Sequence, residues 1–217
     1  MPRRPAPSFS AAPLSAALPP LSEDHPAARR HAIAGSRIVL YRGALSAREC
    51  RDIVAFAEAQ GFAPAGLAVG GDQYRTNEAA RNNTRVMVED RAFAARLWER
   101  LAPVADPAAR GLNWRLRIYR YAVGQYFRPH VDLRMDLPGG GQTRASLMVY
   151  LSDGFVGGET RFFARKPRGS SKKRNNPVTH TVRPERGAAL AFDHTLLHEG
   201  AAVTEGVKYA IRSDVIY

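Results

Sequence analysis

The side chains best suited to chemistry in this sequence stand together in residues 126–132, Tyr-Phe-Arg-Pro-His-Val-Asp. His130 and Asp132 are two residues apart, and in an extended strand side chains at that spacing point to the same face. An imidazole and a carboxylate are two of the three ligands in the facial triad that holds non-haem Fe(II) and leaves other coordination positions open. We therefore predict a metal centre here, completed by a third ligand from elsewhere in the chain.

Two histidines near the C-terminus, His194 and His198, are candidates for the third ligand. Their four-residue spacing would suit one face of a helix, but the preceding residues 188–192 are strand-like in composition. His198 is favoured because a turn near residues 204–206 and a returning strand follow it, which would bring Lys208 back beside the metal. The other three histidines are His25 and His31, in or near an N-terminal tail, and His180, which has no evident partner.

The last strand, residues 207–217, adds positive charge to this picture. Lys208 and Arg212 share its even-numbered face, and if that face looks into a barrel, these buried cations need anionic partners. A metal with a cation several ångströms away suits a ligand that chelates at one end and carries a carboxylate at the other. 2-Oxoglutarate is such a molecule.

The elements that must position these residues come in the order helix, helix, strands. Ser46 followed three residues later by Glu49 forms a capping box, which predicts a helix over residues 47–60 ended by Gly61. Asp90 is predicted to cap a second helix that stops near Pro103. From residue 113 onward the periodicity is close to two, with Gly/Pro turns between about eight short strands. The predicted fold class is α+β, mainly β: a jelly roll supported by N-terminal helices.

Domain organisation follows from length and composition. With 217 residues the chain is most simply one folded domain, residues 36–217, preceded by a flexible tail, residues 1–35, that is rich in Pro, Ala and Ser. The polar loops 66–83 and 136–143 are candidates for a substrate lid.

The formal net charge of +12 favours acidic partners. Much of it lies in the run 165–174, where acids are absent, and we interpret that run as a solvated basic loop rather than a nucleic-acid patch because it also lacks aromatic residues for base stacking. No apolar run approaches the roughly 20 residues that a membrane span needs. The single cysteine, Cys50, excludes an intramolecular disulfide and predicts a reducing, cytoplasmic location.

Over residues 45–217 the sequence resembles the Fe(II)/2-oxoglutarate-dependent oxygenases, specifically their prolyl 4-hydroxylase-like branch. Seven segments carry the resemblance: residues 117–121 (RIYRY), 124–132 (GQYFRPHVD), 147–151 (LMVYL), 157–160 (GGET), 184–187 (PERG), 192–200 (FDHTLLHEG) and 206–209 (GVKY). The resemblance implies a double-stranded β-helix with His130, Asp132 and His198 on the iron. It also implies that Lys208 pairs with the distal carboxylate of 2-oxoglutarate.

Four further residues match pocket positions of that family. Tyr150 matches a tyrosine that often contacts the same distal carboxylate, and Tyr121 matches one that lines the co-substrate pocket, although either could be an ordinary core tyrosine. Thr160 is another pocket-lining match. Arg212 is the reserve for Lys208 on the carboxylate, or else a contact to the substrate.

The implied activity is hydroxylation of a C–H bond in a protein or peptide residue, with prolyl as a candidate. It would consume O2 and 2-oxoglutarate, release succinate and CO2, and take ascorbate (vitamin C) as a candidate reductant. One alternative is the same chemistry on a small molecule or an alkylated nucleic acid, which the basic charge mildly favours. Another is a catalytically silent roll that binds metal or polyanion, but the complete triad together with Lys208 argues against it.

Overall fold

The structure is a computed structural model that describes residues 12–22, 25, 27–70, 73–138, 140–164 and 176–217. The basic run 165–174 lies outside the described residues. The helices are α1 (Leu14–Ala17), α2 (Ala47–Gln60) and α3 (Arg91–Leu101). The strands are β1 (Arg29–Ala34), β2 (Ile38–Arg42), β3 (Ala63–Pro64), β4 (Leu67–Gly70), β5 (Gln73–Arg75), β6 (Thr84–Glu89), β7 (Gly111–Leu112), β8 (Arg115–Tyr121), β9 (Phe127–His130), β10 (Thr143–Tyr150), β11 (Val156–Gly157), β12 (Thr160–Phe163), β13 (Val178–Val182), β14 (Ala189–Asp193), β15 (Leu197–Gly200), β16 (Val203–Glu205) and β17 (Lys208–Ile216).

Two antiparallel sheets form the roll. The major sheet has the order β1-β2-β14-β10-β17-β8-β6-β3, with β7 also paired to β17. The minor sheet has the order β13-β12-β15-β9, and β11–β16 and β4–β5 are separate two-stranded ladders. Tyr150 and Phe192 of the major sheet share a buried cluster with Phe162 and Val182 of the minor sheet, so the two sheets enclose a common interior. The mainly β jelly-roll prediction is confirmed.

The alternation along β10 shows why the major sheet has two different faces. Leu147 and Val149 face outward and pack in one buried cluster with Ile53 of α2 and Leu97 of α3. Burial of each such side chain stabilises the fold by roughly 1.5–3 kcal/mol. The intervening residues, among them Ser146, point into the roll, where polar groups can meet a ligand.

Helix α2 begins and ends where the sequence predicts. The Ser46 hydroxyl accepts a hydrogen bond from the Glu49 amide (3.2 Å), and the Glu49 carboxylate accepts one from the Ser46 amide (2.8 Å). Gly61 ends the helix with a φ of 76°. Burial alone would raise the pKa of Glu49, but hydrogen bonds from Arg100 and the Ser46 amide lower it to about 2. No described helix is long and apolar enough to span a membrane.

Described parts of the N-terminal segment that was predicted to be a tail contact the folded domain. Strand β1, which lies within the predicted tail of residues 1–35, pairs with β2. Leu14 of α1 is completely buried in one cluster with residues of α2 and α3. Ser15 donates two hydrogen bonds to the Asp90 carboxylate, from its amide (2.6 Å) and its hydroxyl (3.0 Å). Composition does not anticipate these contacts, because it measures only what the segment can bury by itself. The contacts come from α2, from α3 and from Asp90, all distant in the chain.

Asp90 is therefore expected to matter for stability well beyond its own helix. Its carboxylate caps α3 through the Phe93 amide (2.9 Å) and also holds Ser15. Asp90→Ala should lower the free energy of unfolding by about 1–2 kcal/mol, measured by urea denaturation. Asp52→Ala, which removes an exposed i,i+4 partner of Arg48, is the control and should cost about 0.5 kcal/mol or less. Equal losses in the two variants would contradict the capping role.

Both predicted lid loops contain ordered pairing. Residues 66–83 include the β4–β5 ladder, with Leu67 opposite Arg75. Residues 136–143 are closed by a bridge between Asp136 and Gln142. A lid function for either segment stays a prediction.

Candidate metal and co-substrate site

Three predicted ligands converge inside the roll. His130 on β9 is directly opposite His198 on β15, its antiparallel neighbour, and Asp132 follows β9 two residues later. One ligand atom from each of the three residues lies within 4.8 Å of the others. The His130 Nε2 is 3.7 Å from Asp132 Oδ1, and the His198 Nε2 is 3.5 Å from Asp132 Oδ2. Strand pairing therefore joins residues that are far apart in the chain.

Hydrogen bonds set the tautomer of both imidazoles. The His130 Nδ1 is 2.8 Å from the Arg128 carbonyl and the His198 Nδ1 is 3.0 Å from the Leu196 carbonyl. A carbonyl only accepts, so each Nδ1 carries the proton and each Nε2 presents its lone pair. Burial lowers the pKa of His130 to about 3 and also lowers the pKa of His198. Both rings are thus neutral at physiological pH, and each can donate its Nε2 lone pair to a metal.

Asp132 is held by partners that the sequence analysis did not identify as a set. The Ser146 hydroxyl donates a hydrogen bond to Oδ2 (2.5 Å), and an Arg212 guanidinium nitrogen lies 3.0 Å from Oδ1. Burial alone would raise the pKa of Asp132, but the Arg212 guanidinium and the hydrogen bond from Ser146 hold it well below its usual range. Ser146 was missed because a small polar residue on an inward strand face gives no signal of its partner across the sheet.

His194 is not at this centre. It is buried, and its Nε2 lies 3.3 Å from the Asp214 carboxylate. The neighbouring Asp193 carboxylate accepts hydrogen bonds from the amide and hydroxyl of Thr195. Of the two third-ligand candidates, the structure brings only His198 to His130 and Asp132.

Lys208 is a buried cation that faces the same cavity. On β17 it is paired with Tyr121 of β8, and its Nζ donates a 2.6 Å hydrogen bond to the Gly158 carbonyl. The ammonium lies 5.3 Å from the Tyr121 ring centroid and 5.5 Å from that of Tyr150. Burial lowers the pKa of Lys208 to about 8, with only partial compensation from Glu159. Within the described residues no carboxylate forms an ion pair with it.

Two glycines bring the backbone close to Lys208. At Gly157 (φ 77°) a Cβ would lie 2.3 Å from the Ala202 carbonyl oxygen, which no side chain tolerates. At Gly158 (φ 69°) a Cβ would press on Phe155 and on the Lys208 stem at 3.2 Å. The Gly-Gly pair therefore lets the β11–β16 ladder and the Gly158 carbonyl approach the lysine.

Of the remaining predicted pocket residues, Tyr121, Tyr150 and Thr160 lie on the Lys208 side of the site, and Arg212 lies at Asp132. Tyr150 and Thr160 are buried and share a 2.8 Å hydrogen bond between their hydroxyls. Thr160, Tyr121 and Lys208 line one cavity with the metal-ligand candidates. Arg212 also lines this cavity, but it lies at the Asp132 carboxylate rather than beside Lys208, and its other guanidinium nitrogen is 3.0 Å from Asp214.

These residues fit iron and 2-oxoglutarate. Two neutral imidazoles and an ionised carboxylate on one side of a common point are the donor set of a facial Fe(II) site. A buried ammonium without a described carboxylate partner, at the far end of the same cavity, suits an incoming carboxylate. The cavity that these residues line measures about 20 Å³, room for about one water.

Comparisons with known proteins agree with the geometry. The family model described as the 2OG-Fe(II) oxygenase superfamily matches residues 116–213. Two Arabidopsis thaliana proteins are similar in sequence: probable prolyl 4-hydroxylase 10 (35% identical over 113 residues, 44% of this chain and 39% of the relative) and probable prolyl 4-hydroxylase 3 (28% over 201 residues, 80% and 67%). The chain thus spans about two thirds or less of the length of these relatives.

Solved structures share the fold. The match to the viral collagen prolyl hydroxylase vCPH of Paramecium Bursaria Chlorella virus-1, in its 2OG complex, has a TM-score of 0.54 at 21% identity. It spans 84% of this chain and 97% of the viral chain. A prolyl hydroxylase of Trichoplax adhaerens, in complex with a hypoxia inducible factor peptide fragment, has a TM-score of 0.57 at 16% identity, with 83% and 84% coverage.

Over residues 116–213, a range that contains His130, Asp132, His198 and Lys208, the chain is thus similar to the 2OG-Fe(II) oxygenase superfamily. The predicted resemblance to the prolyl 4-hydroxylase-like branch is confirmed by the similarity to these plant proteins.

Proposed function

We propose that this chain hydroxylates a C–H bond of a peptide residue, with O2 and 2-oxoglutarate consumed and succinate and CO2 released. The observation that carries the proposal is the shared cavity between the His130, Asp132 and His198 cluster and the buried Lys208. The three clustered side chains would hold Fe(II) on one face and leave positions open for co-substrate and O2. The metal with its co-substrate supplies the oxidising chemistry.

The chain's own residues would bind, orient and exclude water. Lys208 would pair with the distal carboxylate of 2-oxoglutarate, with the Tyr150 and Thr160 hydroxyls beside it as further donors. Ser146 and Arg212 would hold the Asp132 carboxylate in place on the metal. Burial of this whole set strengthens each electrostatic contact and keeps bulk water from the reacting carbon.

A peptide substrate with a prolyl residue is the form of the proposal that the relatives support. Several similar proteins are named prolyl 4-hydroxylases, and one structure of the same fold holds a peptide fragment. Beside Asp132, the exposed side chains of Val131 and Leu133 offer an apolar rim for such a peptide. No observation in the described residues favours the small-molecule or nucleic-acid alternative. Ascorbate as reductant remains part of the proposal.

We also propose a cytoplasmic location. Cys50 is free and buried, and burial raises the pKa of its thiol to about 12, so the sequence-based argument from a single unpaired cysteine is unaltered. Cell fractionation with compartment markers tests it, and recovery in an oxidising compartment would contradict it.

The activity is tested by coupled measurements on one preparation. Anaerobic addition of Fe(II) and 2-oxoglutarate should produce a weak visible charge-transfer band, and aerobic turnover with a panel of proline-containing peptides should release succinate and add one oxygen to the peptide, detected by mass spectrometry. A band without succinate for any peptide would favour a silent binding roll. Absence of both would contradict the proposed site itself.

A further inference from the structure

A single guanidinium joins two buried carboxylates, and one of them belongs to the metal-ligand cluster. Arg212 Nη1 lies 3.0 Å from Asp132 Oδ1, and Arg212 Nη2 lies 3.0 Å from Asp214 Oδ1. The Asp132 side chain is 5% exposed, and that of Asp214 is completely buried. Asp214 is not itself among the clustered ligands, so its contact with the metal centre runs through Arg212.

Hydrogen bonds hold both carboxylate oxygens of Asp132. Arg212 Nη1 contacts Oδ1, and the Ser146 hydroxyl donates to Oδ2 (2.5 Å). The same hydroxyl accepts a hydrogen bond from Arg212 Nη2 (3.2 Å), so the three side chains close a ring. Partners of this kind orient a metal-binding carboxylate. The ring holds only while the guanidinium keeps one position.

Asp214 is placed to fix that position. It is directly opposite Ser146 where β17 pairs with β10, and it lies two residues from Arg212 on the same face of β17. Arg212 is in turn directly opposite Arg117 where β17 pairs with β8. Like charges at such positions repel each other. The Asp214 carboxylate, 3.2 Å from Arg117, contacts both cations and holds them side by side.

The Asp214 carboxylate is ionised in its buried position. Burial alone would raise its pKa, but the Arg212 guanidinium holds it well below its usual range. Two ionised carboxylates therefore share one guanidinium. Each of them draws on the charge of Arg212, so Arg212 orients Asp132 without forming an exclusive ion pair with it.

We propose that Asp214 is a positioning residue for the metal centre: by sharing the Arg212 guanidinium with Asp132, it keeps the Asp132 carboxylate oriented and available to Fe(II). The inference rests on the proposed function, because it takes Asp132 as a metal ligand. Without the charge of Asp214, Asp132 is the remaining described carboxylate in contact with Arg212. That ion pair would then compete with the metal for Asp132.

The test measures the affinity for Co(II), a spectroscopic substitute for Fe(II), by its visible absorption in an anaerobic titration without co-substrate. Asp214→Asn keeps the size of the side chain and removes its charge. It should weaken Co(II) binding by about tenfold or more, since outer partners of metal ligands are each worth about 10–100-fold. If Asp214→Asn does not fold, as judged by its melting curve, Asp214→Ser replaces it with the same expectation.

A second comparison shows whether Asp214 acts through Arg212. In an Arg212→Met background, Asp214→Asn should change Co(II) affinity by less than about threefold, because the competing guanidinium is absent. A structural effect of Asp214 that bypasses Arg212 would be equally large in both backgrounds.

Glu49→Gln is the matched control. Glu49 is also a largely buried carboxylate that contacts an arginine, with Arg100 at 2.8 Å, but it lies on α2 and is not among the clustered ligands. Glu49→Gln should lower the melting temperature and leave Co(II) affinity unchanged.

Three results would overturn the inference: unchanged Co(II) affinity in Asp214→Asn, an equal loss in the Arg212→Met background, or the same loss in Glu49→Gln. Failure of the unaltered protein to bind Co(II) would instead contradict the proposed metal site. The two failures are therefore distinguishable.

Discussion

His198→Ala is expected to reduce Fe(II) affinity by more than about 100-fold and to abolish succinate release. Loss of a residue that only hydrogen-bonds to a metal ligand already lowers metal affinity or activity by about 10–100-fold, and loss of the ligand itself should cost more. His198 supplies the donor from β15, opposite His130 on β9. Without it the two remaining ligands leave the metal open to water on that side. The measurement is the anaerobic charge-transfer band during Fe(II) titration at saturating 2-oxoglutarate, together with succinate release in air.

His194→Gln is the matched control for this variant. His194 is equally buried and four residues away, but its Nε2 lies at the Asp214 carboxylate instead of the metal cluster. It should keep the band, with at most a loss of thermal stability. Loss of iron in His194→Gln with retention in His198→Ala would reverse the assignment of the third ligand.

Lys208→Met is expected to weaken 2-oxoglutarate binding by at least about 30-fold, since removing one partner of a buried charge pair costs about 2–5 kcal/mol. Methionine keeps the apolar stem that packs near Tyr121 and Tyr150 and removes the ammonium. Iron affinity, measured without co-substrate, should change little because Lys208 is not among the clustered ligands. Equal losses of iron and co-substrate affinity would contradict the carboxylate-binding role.

The pH dependence gives an independent check on Lys208. Burial lowers its pKa to about 8, and the ammonium is the form that binds a carboxylate. Binding raises this pKa, so complex formation takes up a proton once the free lysine begins to titrate. The affinity for 2-oxoglutarate should therefore fall as the pH rises above about 8 in the unaltered protein and stay flat in Lys208→Met. A flat profile between about pH 7 and about pH 9 in the unaltered protein would contradict this assignment.

Local patterns predicted the elements that local physics controls. The Ser46–Glu49 capping box and Gly61 bounded α2 correctly, because capping bonds join residues three apart. The period-two alternation predicted from residue 113 onward is present along β10, where Leu147 packs outward and Ser146 faces inward. The N-terminal segment escaped such reasoning, since Leu14 and Ser15 are ordered by partners far along the chain.

The sequence by itself determined the chemistry available: His130 and Asp132 two residues apart, a candidate third histidine, and a lysine on the last strand. Tertiary structure decided which histidine meets the pair, since antiparallel pairing of β9 and β15 places His198 opposite His130 and leaves His194 at Asp214. It also decided that Arg212 meets Asp132. Strand register joins residues that are distant in the chain, and that register is a property of the whole sheet.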